Sequence, residues 1–150
     1  MQISDVLTPD RIHLDLTVSS KKTLLEQMAA ILATESESAP EREIFESLCQ
    51  RERLGSTGLG NGVAIPHGRN PQQNEIVGAI IRLKKPINFD APDHEPVDLF
   101  FALAIPKECS DAHLTLLADI ADFFKTTDHR DVLRETINPE RFIELMSHDE

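Results

Sequence analysis

The chain of 150 residues is long enough for one compact domain with a substantial core, and too short for two domains of ordinary size. Its 26 acidic and 15 basic residues give a formal net charge of −11, which disfavours binding to nucleic acid or to an anionic membrane, since no Lys/Arg-rich segment offsets it. The two cysteines, Cys49 and Cys109, form no CxxC motif, and no apolar run approaches the roughly 18 residues of a membrane span. The sequence therefore predicts a cytoplasmic protein without membrane insertion, disulfide framework or zinc cluster.

Apolar periodicity predicts the regular elements in chain order. The N-terminal third is predicted to hold one strand and two helices, over residues 11–16, 21–34 and 40–53. A short extended segment and two apolar strands follow, over residues 62–66, 75–83 and 97–105. Three helices complete the chain, over residues 111–125, 128–136 and 139–146.

The predicted helix boundaries rest on residues that commonly start or stop helices. Ser19 or Ser20 can cap the first helix. Pro40 suits the first turn of the second helix, which Gly55 then ends. Because strands rich in branched and aromatic side chains are interspersed with these helices, we expect an α/β fold with a mostly buried sheet between two helical layers.

A glycine-rich loop, GSTGLGNGVAIPH, occupies residues 55–67 and suggests a phosphate cradle. However, Asn61 stands where a Walker A loop carries its lysine. A dinucleotide fingerprint needs a third glycine where this chain has Val63, and it leads into a helix rather than an extended segment. The loop is therefore either a tight connection or a support that presents His67 and binds an anion through backbone amides.

His67 itself is open to three interpretations: a structural residue, a metal ligand or a nucleophile. A metal site would want companion ligands at short spacing, which the chain lacks. A neutral imidazole can instead accept a phosphoryl group on one nitrogen while a hydrogen bond holds the other. Such transfer needs a cation for the phosphoryl oxygens, and either Arg51 or Arg53 can supply it. Both arginines are also explained by a preference of cations for helix C-termini.

Residues 51–69, RERLGSTGLGNGVAIPHGR, closely resemble the phosphorylation-site segment of fructose/mannitol-type IIA proteins of the bacterial phosphoenolpyruvate-dependent phosphotransferase system. Within them, GSTGLGNGVAIPHG resembles the nitrogen-regulatory branch of that family. Residues 87–103 and 113–121 resemble the family's central sheet and the start of one of its helices. The resemblance covers most of the chain. It implies a single domain over residues 1–150, with one mixed β-sheet flanked by helices on both sides in a three-layer α/β/α sandwich.

The resemblance also implies roles for individual residues. His67 matches the histidine that accepts the phosphoryl group on Nε2 from an HPr-like phosphocarrier, which makes the protein a phosphotransferase with a phosphohistidine intermediate. Arg51 and His113 match two partners at that site. No cofactor and no metal are implied. Five loop residues are further candidate ligands of the phosphoryl oxygens: Ser56, Thr57, Gly60, Asn61 and Gly62.

Several functions stay open at this point. Similarity to the nitrogen-regulatory branch implies that the phosphorylation state signals to nitrogen, carbon or potassium control, through targets such as a sensor kinase or a potassium transporter. Alternatively, the protein is a sugar-specific IIA component that passes the phosphoryl group to a separate IIB protein, or a binding module without chemistry. The presence of His67, Arg51 and His113 together favours phosphoryl transfer.

Overall fold

The computed structural model of the chain describes residues 1–35 and 38–147. Two single-turn 3-10 helices, Ile3–Val6 and Pro9–Arg11, come first. The strands are β1 (Ile12–Leu16), β2 (Gly58–Gly60), β3 (Val63–Ala64), β4 (His67–Asn70), β5 (Val77–Ile87) and β6 (Val97–Pro106). The helices are α1 (Lys21–Leu32), α2 (Glu41–Arg53), α3 (Asp111–Phe123), α4 (Thr127–Glu135) and α5 (Pro139–Ser147).

The six strands form one mixed sheet with β6 at its centre. The strand order is β1-β5-β6-β3-β2. β3 and β4 both pair with the same edge of β6, β3 at residues 99–100 and β4 at residues 103–106. β6 runs antiparallel to β5 and parallel to β3 and β4. In this register His67 lies opposite Leu103, so the first residue of β4 is fixed against the middle of the sheet.

Helices cover both faces of this sheet. α1 and α2 pack on one face, where Leu24, Leu48 and Phe100 are buried together. α3, α4 and α5 pack on the other, where Ile120, Phe142 and Phe101 are buried. Successive strand residues point to opposite faces, which is why Phe100 and Phe101 belong to different cores. The predicted three-layer α/β/α sandwich with a mixed sheet is therefore confirmed.

Five predicted helices are present, with ends that differ by one or two residues from the predicted ones. Ser20, rather than Ser19, caps α1, because its Oγ accepts the N–H of Thr23 at 3.2 Å. No helix in the described ranges combines the length and the hydropathy that a bilayer span requires.

The strand predictions were less accurate around the glycine-rich loop. The extended segment predicted over 62–66 is a strand only at Val63–Ala64, and β2 and β4 were not predicted. The sequence of β4, HGRN, has no β-branched or aromatic residue, so pairing with β6 rather than strand propensity determines its conformation. β5 also continues beyond its predicted end to Ile87, through exposed lysines.

Arg11 is another correction, because it ends the second 3-10 helix instead of starting the first strand. Its buried guanidinium donates from Nε to the carbonyl oxygen of Gly78 at 2.9 Å and pairs with Glu35 at 2.9 Å. Arg11 thus ties the N-terminal segment to β5, which explains why a charged side chain is buried there.

Candidate active site

The hydrogen bonding of the His67 ring decides which of its nitrogens can react. Nδ1 lies 2.7 Å from the carbonyl oxygen of Ile65. A carbonyl oxygen can only accept, so Nδ1 carries the proton, and in the neutral ring Nε2 keeps its lone pair. The backbone two residues upstream therefore fixes the tautomer that a nucleophile reacting through Nε2 requires.

The surroundings of His67 also keep its ring neutral. Burial is the largest cause and lowers the pKa of His67 below the ordinary histidine value. The charges of Arg51 and Arg69 lower the pKa further, whereas the hydrogen bond to Ile65 and the charge of Glu52 oppose the shift. Since the lowering prevails, the ring is uncharged at neutral pH.

Close packing of β4 against α2 positions this strand. Gly68 and Asn70 are buried, while Arg69 is exposed and shares its side of the strand with His67. A Cβ atom on Gly68 would lie 2.5 Å from Oγ of Ser47 on α2, which is closer than real side-chain contacts. Glycine at this position therefore lets the strand that carries His67 approach the helix that carries Arg51.

His67 lies between two surface depressions that share Arg51 and Leu117. The larger, of about 660 Å³, lies between α2, β4 and α3, and the smaller, of about 370 Å³, reaches the glycine-rich loop. Arg51 lines both, and its Nη1 donates to the carbonyl oxygen of Gly55 at 2.8 Å. Arg53 lines the larger depression only. The geometry thus favours Arg51 as the cation for a group bound to His67.

Thr57 joins His67 in the smaller depression but is already hydrogen-bonded. Its N–H lies 3.2 Å from both carboxylate oxygens of Glu52, and its hydroxyl also donates to that carboxylate. Glu52 is buried and pairs with Nζ of Lys21 at 3.1 Å. This carboxylate, which the sequence did not single out, anchors the loop to the last turn of α2 and to the start of α1.

Ser56 lines the smaller depression as well. Its Oγ lies 3.2 Å from the carbonyl oxygen of Phe89 and accepts the N–H of Gly58 at 3.1 Å. The loop hydroxyls therefore lie beside His67 with their protons directed at protein acceptors.

The remaining three loop candidates lie at the last residue of β2 and on the turn that follows it, with positive φ angles of 90° at Gly60, 58° at Asn61 and 79° at Gly62. The N–H of Asn61 donates to Asp93 at 3.1 Å, and its carbonyl oxygen accepts from Arg134 at 2.6 Å. None of the three is among the described residues that line either depression at His67. The structure thus places these three residues away from His67. One of their amides, the N–H of Asn61, is already bound to the carboxylate of Asp93.

His113 lies in the first turn of α3, where it forms a capping box with Ser110. The N–H of Ser110 donates to Nδ1 of His113 at 3.2 Å, and Oγ of Ser110 accepts the N–H of His113 at 3.3 Å. His113 lines a separate depression near Met1, whereas other residues of α3, among them Leu114 and Leu117, line the depressions beside His67. In this conformation the structure does not bring His113 together with His67.

The residues beside His67 that the sequence did not single out as site residues include Arg69, Leu114 and Leu117. Arg69 is two positions after His67, and residues at this spacing share one face of a strand. The spacing would have predicted that Arg69 lies beside His67 only if β4 had been known to be a strand. In the part of the chain that the structure describes, no group of three or more His, Cys, Asp or Glu side chains is placed to hold a metal ion.

Known proteins resemble this chain over nearly its whole length. Residues 5–149 match the family described as "Phosphoenolpyruvate-dependent sugar phosphotransferase system, EIIA 2". A nitrogen regulatory protein of Pseudomonas aeruginosa is 40% identical over 146 residues, which cover 97% of this chain and 95% of that protein. A nitrogen regulatory protein of Bradyrhizobium diazoefficiens is 44% identical over 134 residues, covering 89% and 87%. The crystal structure of the nitrogen regulatory protein IIA-Ntr from Neisseria meningitidis matches with a TM-score of 0.91 at 40% identity, covering 96% of this chain and 98% of that one.

Proposed function

The chain belongs to the EIIA 2 family of the phosphoenolpyruvate-dependent sugar phosphotransferase system, and on that basis we propose that Nε2 of His67 accepts a phosphoryl group from an HPr-like phosphocarrier. The observation that carries this proposal is the hydrogen bond from Nδ1 to the carbonyl oxygen of Ile65, at 2.7 Å. It leaves the Nε2 lone pair free in a ring that burial keeps neutral.

The transfer is a direct exchange between two histidines. The N–P bond of the carrier's phosphohistidine breaks as the Nε2–P bond of His67 forms, and the carrier's ring leaves with the electron pair of the broken bond. Arg51 balances the charge on the equatorial phosphoryl oxygens. The Nδ1–H bond to Ile65 stabilises the positive charge that the ring of His67 gains as it attacks.

Exposed apolar side chains around His67 support a protein as the donor. Leu54, Leu114 and Leu59 are 85%, 50% and 42% exposed, and all three line the depressions beside His67. Clusters of exposed apolar residues are typical of surfaces that bind other proteins.

Labelling of the purified protein tests this proposal. Incubation with phosphoenolpyruvate, the first enzyme of the system and the HPr-like carrier should give an acid-labile, base-stable adduct on His67. The His67→Ala variant should remain unlabelled. A His94→Asn variant, in which an exposed histidine is changed, is the matched control and should label as the wild type does. Equal labelling of His67→Ala would overturn the assignment.

The role of Arg51 is tested in the same assay. Arg51→Ala should slow the transfer by about 10²- to 10³-fold, because a positioned charge is lost from the transition state. Its circular dichroism spectrum should match that of the wild type, since Arg51 makes one hydrogen bond to a loop carbonyl. An unchanged transfer rate would remove Arg51 from the mechanism.

For the output of the reaction, we propose cytoplasmic regulation rather than sugar uptake. Two relatives that match most of the chain are named nitrogen regulatory proteins, which supports a phosphorylation-dependent signal. A phosphoryl group adds about 1.5 to 2 negative charges among Arg51 and its neighbours, so it changes what the surface binds. Targets in nitrogen, carbon or potassium control, such as a sensor kinase or a potassium transporter, should bind the two forms with different affinity. Rapid transfer to a IIB protein would instead support a sugar-specific role.

A further inference from the structure

The larger depression beside His67 has the opposite charge to the rest of the molecule. The chain carries a formal net charge of −11, yet none of the twelve described residues that line this depression is acidic. Three of them are arginines: Arg51, Arg53 and Arg69. The rest of the lining is largely apolar and includes Ile105 and Leu117. An acidic protein therefore presents a basic and apolar surface next to its reactive histidine.

The three arginines differ in how they are held. Nη1 of Arg51 donates to the carbonyl oxygen of Gly55 at 2.8 Å, and Arg51 also lines the smaller depression. Arg53 and Arg69 are exposed, and neither side chain makes a hydrogen bond or an ion pair with any residue in the described ranges. The other arginines all bind protein groups: Arg11, Arg42, Arg82, Arg130, Arg134 and Arg141.

We propose that Arg53 and Arg69 are docking residues that bind acidic side chains of the phosphocarrier, whereas Arg51 binds the phosphoryl group. This inference rests on the proposed phosphoryl transfer to His67. It specifies the partner as a protein whose phosphohistidine lies in an apolar patch flanked by Asp or Glu side chains. None of the described residues that line the depression is acidic, so carboxylates of a partner can pair with the two arginines without displacing an internal ion pair.

Charge also explains how the partner finds this site. At long range an acidic face is repelled by a protein of net charge −11, but near His67 it meets three arginines. The attraction is therefore confined to the correct docking position. Contacts at other positions on the acidic surface are disfavoured, so the same charges contribute both affinity and specificity.

Charge reversal separates docking from chemistry. The variants Arg53→Glu, Arg69→Glu and their combination are compared with Arg42→Glu, which changes an exposed arginine on α2 that does not line the depression. Two donors are used: the phosphorylated HPr-like carrier, at several NaCl concentrations, and phosphoramidate, a small phosphoryl donor that needs no docking surface. Circular dichroism verifies the fold of each variant.

With the phosphorylated carrier at low salt, we expect each reversal to lower the second-order transfer rate by about 10-fold, and the combination by more. Added salt should slow the transfer less than in wild type, or speed it up, because each reversal replaces an attraction at the interface with a repulsion that salt screens. With phosphoramidate, at a pH of about 8, where the His67 ring is neutral with or without the charge of Arg69, labelling of His67 should stay within about 2-fold of wild type. Arg42→Glu should behave as wild type with both donors.

Three results would overturn the inference. Unchanged or faster transfer from the carrier in the double variant would mean that no acidic face meets these arginines. A parallel loss with phosphoramidate in Arg69→Glu would make Arg69 a ligand of the phosphoryl group instead. If wild-type protein were labelled by phosphoramidate but its transfer from the carrier had no salt dependence, the docking would not be electrostatic. If neither donor labelled His67 of the wild-type protein, the proposed function itself would be refuted.

Discussion

At the scale of single residues, the reactivity of His67 depends on the backbone that surrounds it. The carbonyl oxygen of Ile65 holds the Nδ1 proton, and burial disfavours a second proton on the ring. Neither effect requires another titratable side chain at hydrogen-bonding distance. The nucleophile is therefore prepared before any partner binds, and the arginines act on the phosphoryl group and its carrier.

The lowered pKa of His67 predicts a specific pH dependence. By NMR, the His67 ring should titrate with a midpoint below the ordinary value of about 6.5. Between that midpoint and about 6.5 the unfolded chain binds more protons than the folded chain, so the contribution of His67 to the free energy of unfolding falls as the pH falls. Phosphoryl acceptance should follow the titration of the folded protein, being constant at neutral pH and falling to half at the lowered midpoint.

Arg51→Ala serves to separate the causes of this shift. Removing the arginine should raise the midpoint only part of the way towards the ordinary value, because burial is the larger cause and remains. A wild-type midpoint at or above about 6.5 would contradict the assignment of a half-buried neutral ring.

At the scale of elements, close packing between β4 and α2 is the feature on which the site depends most. Gly68→Ala would place a Cβ atom 2.5 Å from Oγ and 2.8 Å from the backbone carbonyl carbon of Ser47. Backbone cannot rotate away as a side chain can, so the strand must move off the helix. We expect a loss of about 1–3 kcal/mol in the free energy of unfolding, measured by urea denaturation, together with slower phosphoryl acceptance by the displaced His67.

Arg69→Ala is the matched control for stability, since Arg69 is the next residue of the same strand and is exposed on its opposite face. It should change the free energy of unfolding by no more than about 0.5 kcal/mol. Equal denaturation midpoints for Gly68→Ala and wild type would show that the strand and the helix are not packed as closely as described.

The elements also show what the sequence could predict. The helices were predicted because each carries its apolar stripe within its own sequence, and the two long strands because their apolar runs are continuous. β4 could not be predicted, since its extended form comes from pairing with β6, which is distant in the chain. The sequence motif placed His113 correctly at the start of α3. It could not predict the direction of the side chain, which the capping box with Ser110 determines.

At the scale of the whole molecule, two cores share a single sheet. β5 contributes Ile81 to the α1–α2 side and Ile80 to the α3–α5 side, and β6 divides Phe100 and Phe101 in the same way. Neither helical layer can lose its packing without exposing one face of the same strands. Phosphorylation of His67 should therefore act as a local change of charge on a rigid scaffold, not as a change of fold.

This shared sheet predicts that both layers unfold together. Leu48→Ala removes a buried side chain from the α1–α2 core and Phe142→Ala one from the α3–α5 core, and each should cost about 2–5 kcal/mol. The chain has no tryptophan or tyrosine whose fluorescence could follow unfolding. Methionine methyl groups labelled with 13C can be used instead. Met28 lies in the α1–α2 core and Met146 in the α3–α5 core, so their signals report on the two sides of the sheet separately. In urea, the two methyl signals should change at one common midpoint in wild type and in both variants, because the strands between them belong to both cores. Separate midpoints for the two methionines, in either variant, would mean that the layers are independent folding units and that the sheet does not couple them.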